Sequence, residues 1–265
     1  MFLHINNFIR LFVAMSFLLL AGCHHASQEK PLRIGMDLSY PPFEMINDHG
    51  EPDGISVAMA QALSGYLHRP LQIENIPFAG LLPSLQTGKI DLIISSMTDT
   101  PERRKSIAFS DPYLTIGLGA LVQQDTAIDS IHDLNQPGIK VAVRQGTTGQ
   151  LWAQENLKQV TLVVFDQEAA AVLEVIQKKV DAFLYDEMSV WKHHHEHPLE
   201  TRALLSSLQK ESWAIGLRLS DMELRERVNQ FLKTFRAEKG FERLGDRYLE
   251  EQKKGFAQEG VPFVF

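Results

Sequence analysis

The sequence predicts an α/β protein built of two lobes. From Leu32 onward, β-like apolar runs alternate with stretches of helical periodicity, a pattern typical of mixed α/β folds. The alternation forms two sets of similar size, and no Gly/Ser-rich or Pro-rich linker separates them. We therefore expect each set to form one lobe, with extended strands crossing between the lobes near residues 115–119 and 212–216.

The predicted elements follow in order along the chain. The first set contains strands at 32–38, 72–76 and 90–95 and helices at 54–67 and 80–86. The second contains strands at 119–123, 140–144, 161–165 and 182–185, a helix at 167–178 capped by Asp166, and a helix through Trp191. A strand-like stretch at 213–219 precedes a helical C-terminal part, where residues 220–223 have the form of a capping box.

The N-terminus predicts export and a lipid anchor. Arg10 precedes an apolar run at 11–20, which is too short for a permanent membrane span. The run ends in Leu-Ala-Gly before Cys23, which resembles the bacterial lipobox, and two or more acyl chains on Cys23 would anchor the protein stably. We expect a signal peptide at 1–22 and a lipidated tether at 23–31. The alternative is an ordinary signal peptide with a chance cysteine.

Composition excludes several classes of protein. Hydrophobic residues make up 44% of the chain, enough for a packed core. The chain has 26 basic and 33 acidic residues, and this mildly acidic balance argues against a nucleic-acid partner and against a polybasic membrane patch. Because Cys23 is the only cysteine, the exported body has no disulfide.

Hydroxyl and basic residues follow the third predicted strand. Thr100 and Pro101 predict the N-cap and first position of a helix whose first turn carries Arg103 and two more basic residues. Cations are unfavourable at a helix start unless an anion binds there. Ser96, Thr98 and Arg103 would then form a socket for a small carboxylate. The alternative is a basic turn exposed to solvent.

Two further candidate positions lie in the first half of the chain. Asp37 and Tyr40 follow the first predicted strand, at the end where open α/β sheets bind ligands, and Pro41 and Pro42 fix a turn there. They also fit a surface turn with one core aromatic. Phe78 fits either the core or an apolar pocket wall.

The second half of the chain carries three more candidate sites. Arg144 precedes a Gly-Thr-Thr-Gly segment containing Thr148, which offers N–H groups and hydroxyls to an anion but lacks the ending of a P-loop. Asp186 fits either a helix N-cap or a partner for a ligand ammonium. His193 and His197 lie one helical turn apart, but solvated histidines are favoured over a metal site, and no metal or cofactor is expected.

Six motifs in order carry a family resemblance over residues 32 to about 250. They are Asp37…Tyr40-Pro41-Pro42-Phe43, Phe78…Leu81-Leu82-Pro83-Ser84-Leu85, Ser95-Ser96-Met97-Thr98…Pro101-Glu102-Arg103, Phe109-Ser110-Asp111-Pro112-Tyr113, Gln145-Gly146-Thr147-Thr148 and Asp181-Ala182…Tyr185-Asp186. Together they resemble the family 3 extracytoplasmic solute-binding proteins, the polar amino-acid receptors of ABC importers. The resemblance implies a type II periplasmic-binding-protein fold with two hinge crossings and the ligand in the interlobe cleft.

The resemblance also implies how the two ends of an amino acid are held. Arg103 and the Thr98 hydroxyl would clasp the α-carboxylate, helped by the turn that contains Thr148. Ser96 and Asp186 would receive the α-ammonium.

The ligand side chain would lie between Tyr40 and Phe78, with Asp37 at its polar end. Arg144 could reach that side chain or pair with Asp37. Together they favour a neutral carboxamide such as glutamine. If Arg144 points to solvent, Asp37 alone favours arginine or lysine.

The lobe assignment and partners complete these expectations. We expect lobe 1 at 32–115 and 216–265 and lobe 2 at 116–215, in a monomer anchored on the periplasmic or extracellular face of a bacterial membrane. The partner would be an ABC permease. Two alternatives are a periplasmic enzyme of the dehydratase type and a ligand-sensing receptor. The enzyme needs a spare acid in the cleft, where the sequence places none, and the receptor needs membrane or signalling segments, which the chain lacks up to Phe265.

Overall fold

The computed structural model describes residues 30–205, 209–258 and 260. The predicted signal peptide, Cys23 and nearly all of the tether lie outside these residues. The strands are β1 (Leu32–Met36), β2 (Ser39–Tyr40), β3 (Glu44–Ile46), β4 (Pro52–Asp53), β5 (Leu71–Asn75), β6 (Leu92–Ile93), β7 (Ala108–Phe109), β8 (Leu114–Gln123), β9 (Lys140–Arg144), β10 (Thr161–Phe165), β11 (Ala182–Asp186), β12 (Thr201–Leu204), β13 (Lys210–Trp213) and β14 (Gly216–Leu217).

Helices alternate with these strands along most of the chain. They are α1 (Ile55–Leu67), α2 (Phe78–Gln86), α3 (Pro101–Arg104), α4 (Thr148–Asn156), α5 (Glu168–Ile176), α6 (Glu187–Glu196), α7 (Met222–Ala237), α8 (Gly240–Tyr248) and α9 (Glu250–Gln258), with a 3-10 turn at Ile131–Leu134. In the part of the chain that the structure describes, no helix is long and apolar enough to cross a membrane.

Two open sheets give the protein two lobes, which confirms the predicted fold class. The first sheet has the order β5-β1-β6-β14-β7, and β1 pairs in parallel with both β5 and β6. The second has the order β10-β9-β11-β8-β12, and β9 pairs in parallel with β10 and β11. Strands β9 and β11 are almost entirely buried, as expected for parallel strands covered by helices on both faces.

A two-stranded ribbon lies where the chain passes from one sheet to the other. Residues 114–117 of β8 pair antiparallel with β13, whereas residues 118–122 pair with β11 of the second sheet. The crossings predicted at 115–119 and 212–216 overlap this ribbon. The exact division of residues between the lobes stays a prediction.

Several local predictions were wrong for identifiable reasons. The strand expected at 90–95 shrinks to two residues, because the chain turns at Ser96, which adopts a left-handed φ of 48°. Asp221 is the N-cap of helix α7, but its side chain makes no cap hydrogen bond, so the capping box is absent. Gln167, and not Asp166, is the N-cap of α5. The small sheet β2-β3-β4 was not predicted, because its strands have only two or three residues each. Strand β12 was not predicted either, because it pairs with the distant strand β8.

Candidate functional site

All nine ligand-binding residues predicted from the sequence line one cavity between the two lobes. They are Asp37, Tyr40, Phe78, Ser96, Thr98, Arg103, Arg144, Thr148 and Asp186. Seven further residues line it that the sequence did not assign, namely Glu44, Ser95, Leu118, Thr147, Tyr185, Glu211 and Trp213. The space in this cavity that is open to water is small, about 30 Å³, enough for about two water molecules.

The strand ends explain why these residues meet. Asp37 directly follows β1 in the first sheet, and Ser96 follows β6, its parallel neighbour. Arg144 and Asp186 are the last residues of β9 and β11, which are parallel neighbours in the second sheet. The carboxyl ends of parallel strands are where open α/β sheets place their ligand sites. Here those ends from both sheets line the same cavity.

Arg103 is a desolvated cation at the cavity wall. It is 6% exposed, and its guanidinium donates to the carbonyl oxygens of Thr98 at 2.6 Å and Gly146 at 3.0 Å. Burial lowers the pKa of Arg103 to about 10, although the charges of Glu211, Asp99 and Tyr185 act in the opposite direction. A bound carboxylate would compensate the charge and raise that pKa again.

The other two basic residues of this turn, Arg104 and Lys105, face solvent. The side chain of Arg104 is 65% exposed and pairs with Asp99, and that of Lys105 is 70% exposed and pairs with Glu102. The prediction of a helix start was correct, since Thr100 accepts a hydrogen bond from the Arg103 N–H at 3.2 Å. The alternative of a basic turn exposed to solvent is therefore correct for Arg104 and Lys105. Of the three basic residues of this turn, Arg103 is the one that lines the cavity.

A buried ion pair between Arg144 and Asp37 bridges the lobes. The Arg144 Nη2 to Asp37 Oδ2 distance is 2.5 Å, and the two side chains are 2% and 7% exposed. Arg144 also donates to the Ser39 hydroxyl at 3.1 Å and the Tyr185 hydroxyl at 3.2 Å. Burial alone would lower the pKa of Arg144, but Tyr185 and Asp37 raise it overall, so the guanidinium stays charged.

Asp37 has further partners besides Arg144. Its Oδ2 accepts the Phe78 N–H at 2.8 Å, and its Oδ1 accepts the Ser39 hydroxyl at 2.6 Å. Both carboxylate oxygens are thus engaged by groups of the protein itself. A ligand at this end of the cavity meets a neutralised carboxylate.

Asp186 is both a helix cap and a cavity residue. Its Oδ1 accepts the Ser189 N–H at 3.0 Å, which caps α6, and the Tyr40 hydroxyl at 2.7 Å from the other lobe. Burial and, second to it, the charge of Glu168 raise the pKa of Asp186 to about 7. Asp186 can therefore cap the helix and still line the ligand cavity, so the two roles considered from the sequence do not exclude each other.

Aromatic rings form the apolar walls of the cavity. The Phe78 ring lies 5.5 Å from the guanidinium carbon of Arg103 and 5.9 Å from that of Arg144, so both cations face its π surface. Tyr40 lies edge-on to Trp213 at 6.0 Å between ring centroids. The predicted pair of aromatic residues is present, and Trp213 adds a third ring.

Two acids in the cavity contradict the expectation that the cleft holds no spare acid. Glu44 is 1% exposed and accepts hydrogen bonds from the hydroxyls of Ser56 at 2.6 Å and Ser96 at 3.2 Å. Burial raises the pKa of Glu44 to about 8, so this side chain holds a proton at neutral pH. Glu211 of β13 is 3% exposed and accepts the Thr98 hydroxyl at 2.8 Å.

The sequence carried a signal for only one of these acids. Glu44 directly follows the aromatic turn at 40–43 that was already assigned to the site, so its position could have been suspected. Glu211 reaches the cavity through the pairing of β13 with β8, where it lies opposite Ile116. No local motif encodes that register.

The histidine cluster differs from the prediction. His193 is buried between two carboxylates, with Nε2 at 2.7 Å from Glu168 and Nδ1 at 3.0 Å from Glu196, so it is not a solvated histidine. Glu168 also accepts the Ser189 hydroxyl, which joins this pair to the first turn of α6, the turn that Asp186 caps. Among residues 30–205, 209–258 and 260, no cluster of His, Cys, Asp and Glu is suited to a metal ion.

Comparison with known proteins gives consistent matches over almost the whole described body. The family model for bacterial extracellular solute-binding proteins, family 3, matches residues 32–251. ABC transporter arginine-binding protein 1 of Escherichia coli is 26% identical over 243 residues, covering 90% of this chain and 99% of the relative.

Solved structures agree with the observed fold. An ancestral amino acid-binding protein, a precursor of cyclohexadienyl dehydratase, is 33% identical with a TM-score of 0.76, covering 83% of this chain and 95% of that one. An ancestral arginine-binding protein bound to glutamine is 28% identical with a TM-score of 0.77, covering 83% of this chain and 98% of that one.

Proposed function

Because the chain belongs to the bacterial extracellular solute-binding proteins of family 3, we propose that it captures a polar amino acid and delivers it to an ABC transporter permease. The cavity between the lobes is the binding site. The relatives include amino-acid-binding proteins of ABC transporters, which supports this class of ligand and partner. Glutamine or a close neutral analogue is the ligand that we favour over arginine and lysine.

The Asp37–Arg144 ion pair carries the choice of ligand. A guanidinium or ammonium on the ligand needs a carboxylate with uncompensated charge, but Arg144 already neutralises Asp37 at 2.5 Å. A second cation beside Arg144 in this buried site would be repelled, and burying an unpaired charge is costly. A carboxamide is uncharged, accepts from a guanidinium and donates to a carboxylate, so it suits both partners.

The other end of the cavity suits the α-amino and α-carboxyl groups. Beyond its two carbonyl bonds, Arg103 has three N–H donors with no hydrogen-bond partner in the described part of the chain. The N-terminus of α4, which begins at Thr148, adds backbone N–H groups that favour an anion. Asp186 supplies a carboxylate for the α-ammonium, and Ser96 a hydroxyl beside it.

The contacts are divided between the two lobes. Arg103, Ser96 and Asp37 lie on the first, whereas Arg144 and Asp186 lie on the second. Only closed lobes can make every contact, so ligand binding favours the closed form, and a permease can recognise that form. We assign residues 32–115 and 216–265 to lobe 1 and residues 116–215 to lobe 2.

A cationic amino acid is the second candidate, and one observation favours it. Four carboxyl groups line the cavity, on Asp37, Glu44, Asp186 and Glu211, against the two guanidiniums. At neutral pH, however, Glu44 is protonated and Asp37 is paired, so the surplus of negative charge is smaller than this ratio implies.

An enzyme on the same scaffold is the remaining alternative. Glu44 is a protonated carboxylic acid at neutral pH in the cavity, which a general acid requires. Incubation with amino acids and related carboxylates, followed by a product assay, separates turnover from binding. We expect bound ligand to be recovered unchanged.

The test of the proposed ligand combines a screen with calorimetry. A thermal-shift screen against the twenty amino acids identifies ligands, because a ligand that binds the native state raises the melting temperature. Glutamine should bind more tightly than arginine, and Arg144→Ala should weaken glutamine binding. Tighter binding of arginine by the wild-type protein would instead support the cationic candidate.

The cellular location follows from the N-terminus. We propose that Cys23 is lipidated and that the protein is a monomer held on the outer face of a bacterial membrane. Its family relatives include periplasmic binding proteins, which supports an extracytoplasmic site of action.

A further inference from the structure

Glu211 joins the two lobes through a single carboxylate oxygen. Its Oε2 accepts hydrogen bonds from the hydroxyls of Thr98 at 2.8 Å and Thr148 at 2.9 Å. Thr98 precedes α3, and Thr148 is the first residue of α4. Its Oε1 accepts the side-chain amide of Gln209 at 3.0 Å. The Glu211 side chain is held within the ribbon and is directed at the two threonines.

The same two hydroxyls belong to the proposed clasp for the ligand's α-carboxylate. A threonine hydroxyl has one proton to donate, so it cannot donate to Glu211 and to a ligand at the same time. The backbone N–H groups of α4 and the free donors of Arg103 remain available to the ligand. The ligand carboxylate can accept from the two threonine hydroxyls only if these stop donating to Glu211.

The charge of Glu211 acts in the same direction. Among the charges that oppose the lowering of the Arg103 pKa by burial, that of Glu211 has the largest effect, so this carboxylate stabilises the Arg103 cation. A ligand carboxylate at Arg103 would therefore also be repelled by Glu211.

We propose that Glu211 is an internal competitor of the ligand's α-carboxylate and thereby limits the affinity of the site. Without ligand, Glu211 occupies the hydroxyls of Thr98 and Thr148 and links the lobes. When an amino acid enters, each hydroxyl proton rotates from Glu211 to the ligand carboxylate. This inference rests on the proposed function, since it requires a ligand with an α-carboxylate held by Arg103.

Calorimetry on the full chain and its Glu211→Gln variant tests the proposal, with L-glutamine and L-arginine as probes. The variant loses the negative charge and keeps a weaker acceptor of similar shape. We expect it to bind the better probe roughly tenfold tighter, the factor expected for one charge-assisted hydrogen bond. Unchanged or weaker binding would overturn the proposal and assign Glu211 to the ligand ammonium or to lobe positioning.

Asp99→Asn is the matched control for charge alone. Asp99 also raises the pKa of Arg103 through its charge but pairs with Arg104 outside the cavity. We expect a clearly smaller gain in affinity than for Glu211→Gln. An equal gain would show that the effect is long-range charge and would contradict direct competition.

A variant without the two threonine hydroxyls distinguishes their effect on affinity from that of the Glu211 charge. In a Thr98→Val/Thr148→Val protein, the gain from Glu211→Gln should shrink, because no hydroxyl is left to release. A full gain in affinity in the double-threonine variant would also overturn the proposal.

Failure of this inference can be told from failure of the proposed function. If the wild-type protein binds none of the twenty amino acids, the proposed function fails as well. If the wild-type protein binds one of them and Glu211→Gln does not bind that amino acid more tightly, only the inference about Glu211 fails.

Discussion

Arg103→Ala should remove most of the affinity for an amino acid while leaving the fold intact. The guanidinium is 6% exposed, and it would meet the ligand carboxylate in a site that excludes most water. Truncating one partner of such a buried charge pair costs about 2–5 kcal/mol. That range corresponds to a loss of affinity of about 30- to 5,000-fold.

The same change has a smaller effect on stability. The carbonyl oxygens of Thr98 and Gly146 each lose a donor, and a buried polar group left unsatisfied costs about 1–3 kcal/mol. Water entering the enlarged cavity can replace part of this loss. We therefore expect a lower melting temperature with a cooperative transition.

Arg104→Ala is the control for this prediction. Arg104 lies on the same turn, but its side chain is 65% exposed, and its surface pair with Asp99 contributes about 0–1 kcal/mol. Calorimetry with the tightest ligand from the screen should give near wild-type affinity for Arg104→Ala and an affinity at least about 30-fold weaker for Arg103→Ala. Equal affinities for the two variants would remove Arg103 from the site.

Further predictions concern three other residues, Cys23, Asp186 and Glu44. Cys23→Ser should give an unprocessed or mislocalised precursor, and normal processing with wild-type membrane fractionation would contradict lipidation. Asp186→Asn should weaken binding of an amino acid much more than binding of its analogue without the amino group, whereas equal losses would favour the cap role alone. Because the pKa of Asp186 is about 7, affinity in a pH titration should fall as pH drops below 7 and Asp186 is protonated. The pKa of Glu44 is raised in the native state, so its contribution to stability should fall as pH rises from about 4.5 to about 8. Glu44→Gln should flatten that slope in urea titrations at several pH values, and an unchanged slope would place the ionisation elsewhere.

The sequence was sufficient for the fold class and for the residues at strand ends. Strands β9 and β10 were predicted to the residue, because short runs of apolar, mostly β-branched residues are bounded there by polar residues. Arg103 was found because a cation at a helix start conflicts with the helix dipole. Asp186 was found because it ends a buried strand.

Long-range pairing explains what the sequence did not predict. The partners of His193 include Glu168, which lies 25 residues earlier in the chain, and their pairing depends on how α5 and α6 pack. Strands β2 and β4 have two residues each and no periodicity to detect. Glu211 acquires its place through strand register, which single-sequence patterns do not specify.

The register of β13 against β8 determines which side chains of this ribbon face the cavity. Residues along a strand point alternately to opposite sides, so a shift of one residue between β13 and β8 would turn Glu211 away from the cavity. It would also displace Trp213, which has the same parity on β13 and supplies an aromatic wall. Single-residue insertions or deletions within 210–213 should therefore be far less tolerated than changes of side chain there, although the segment is a connection between lobes.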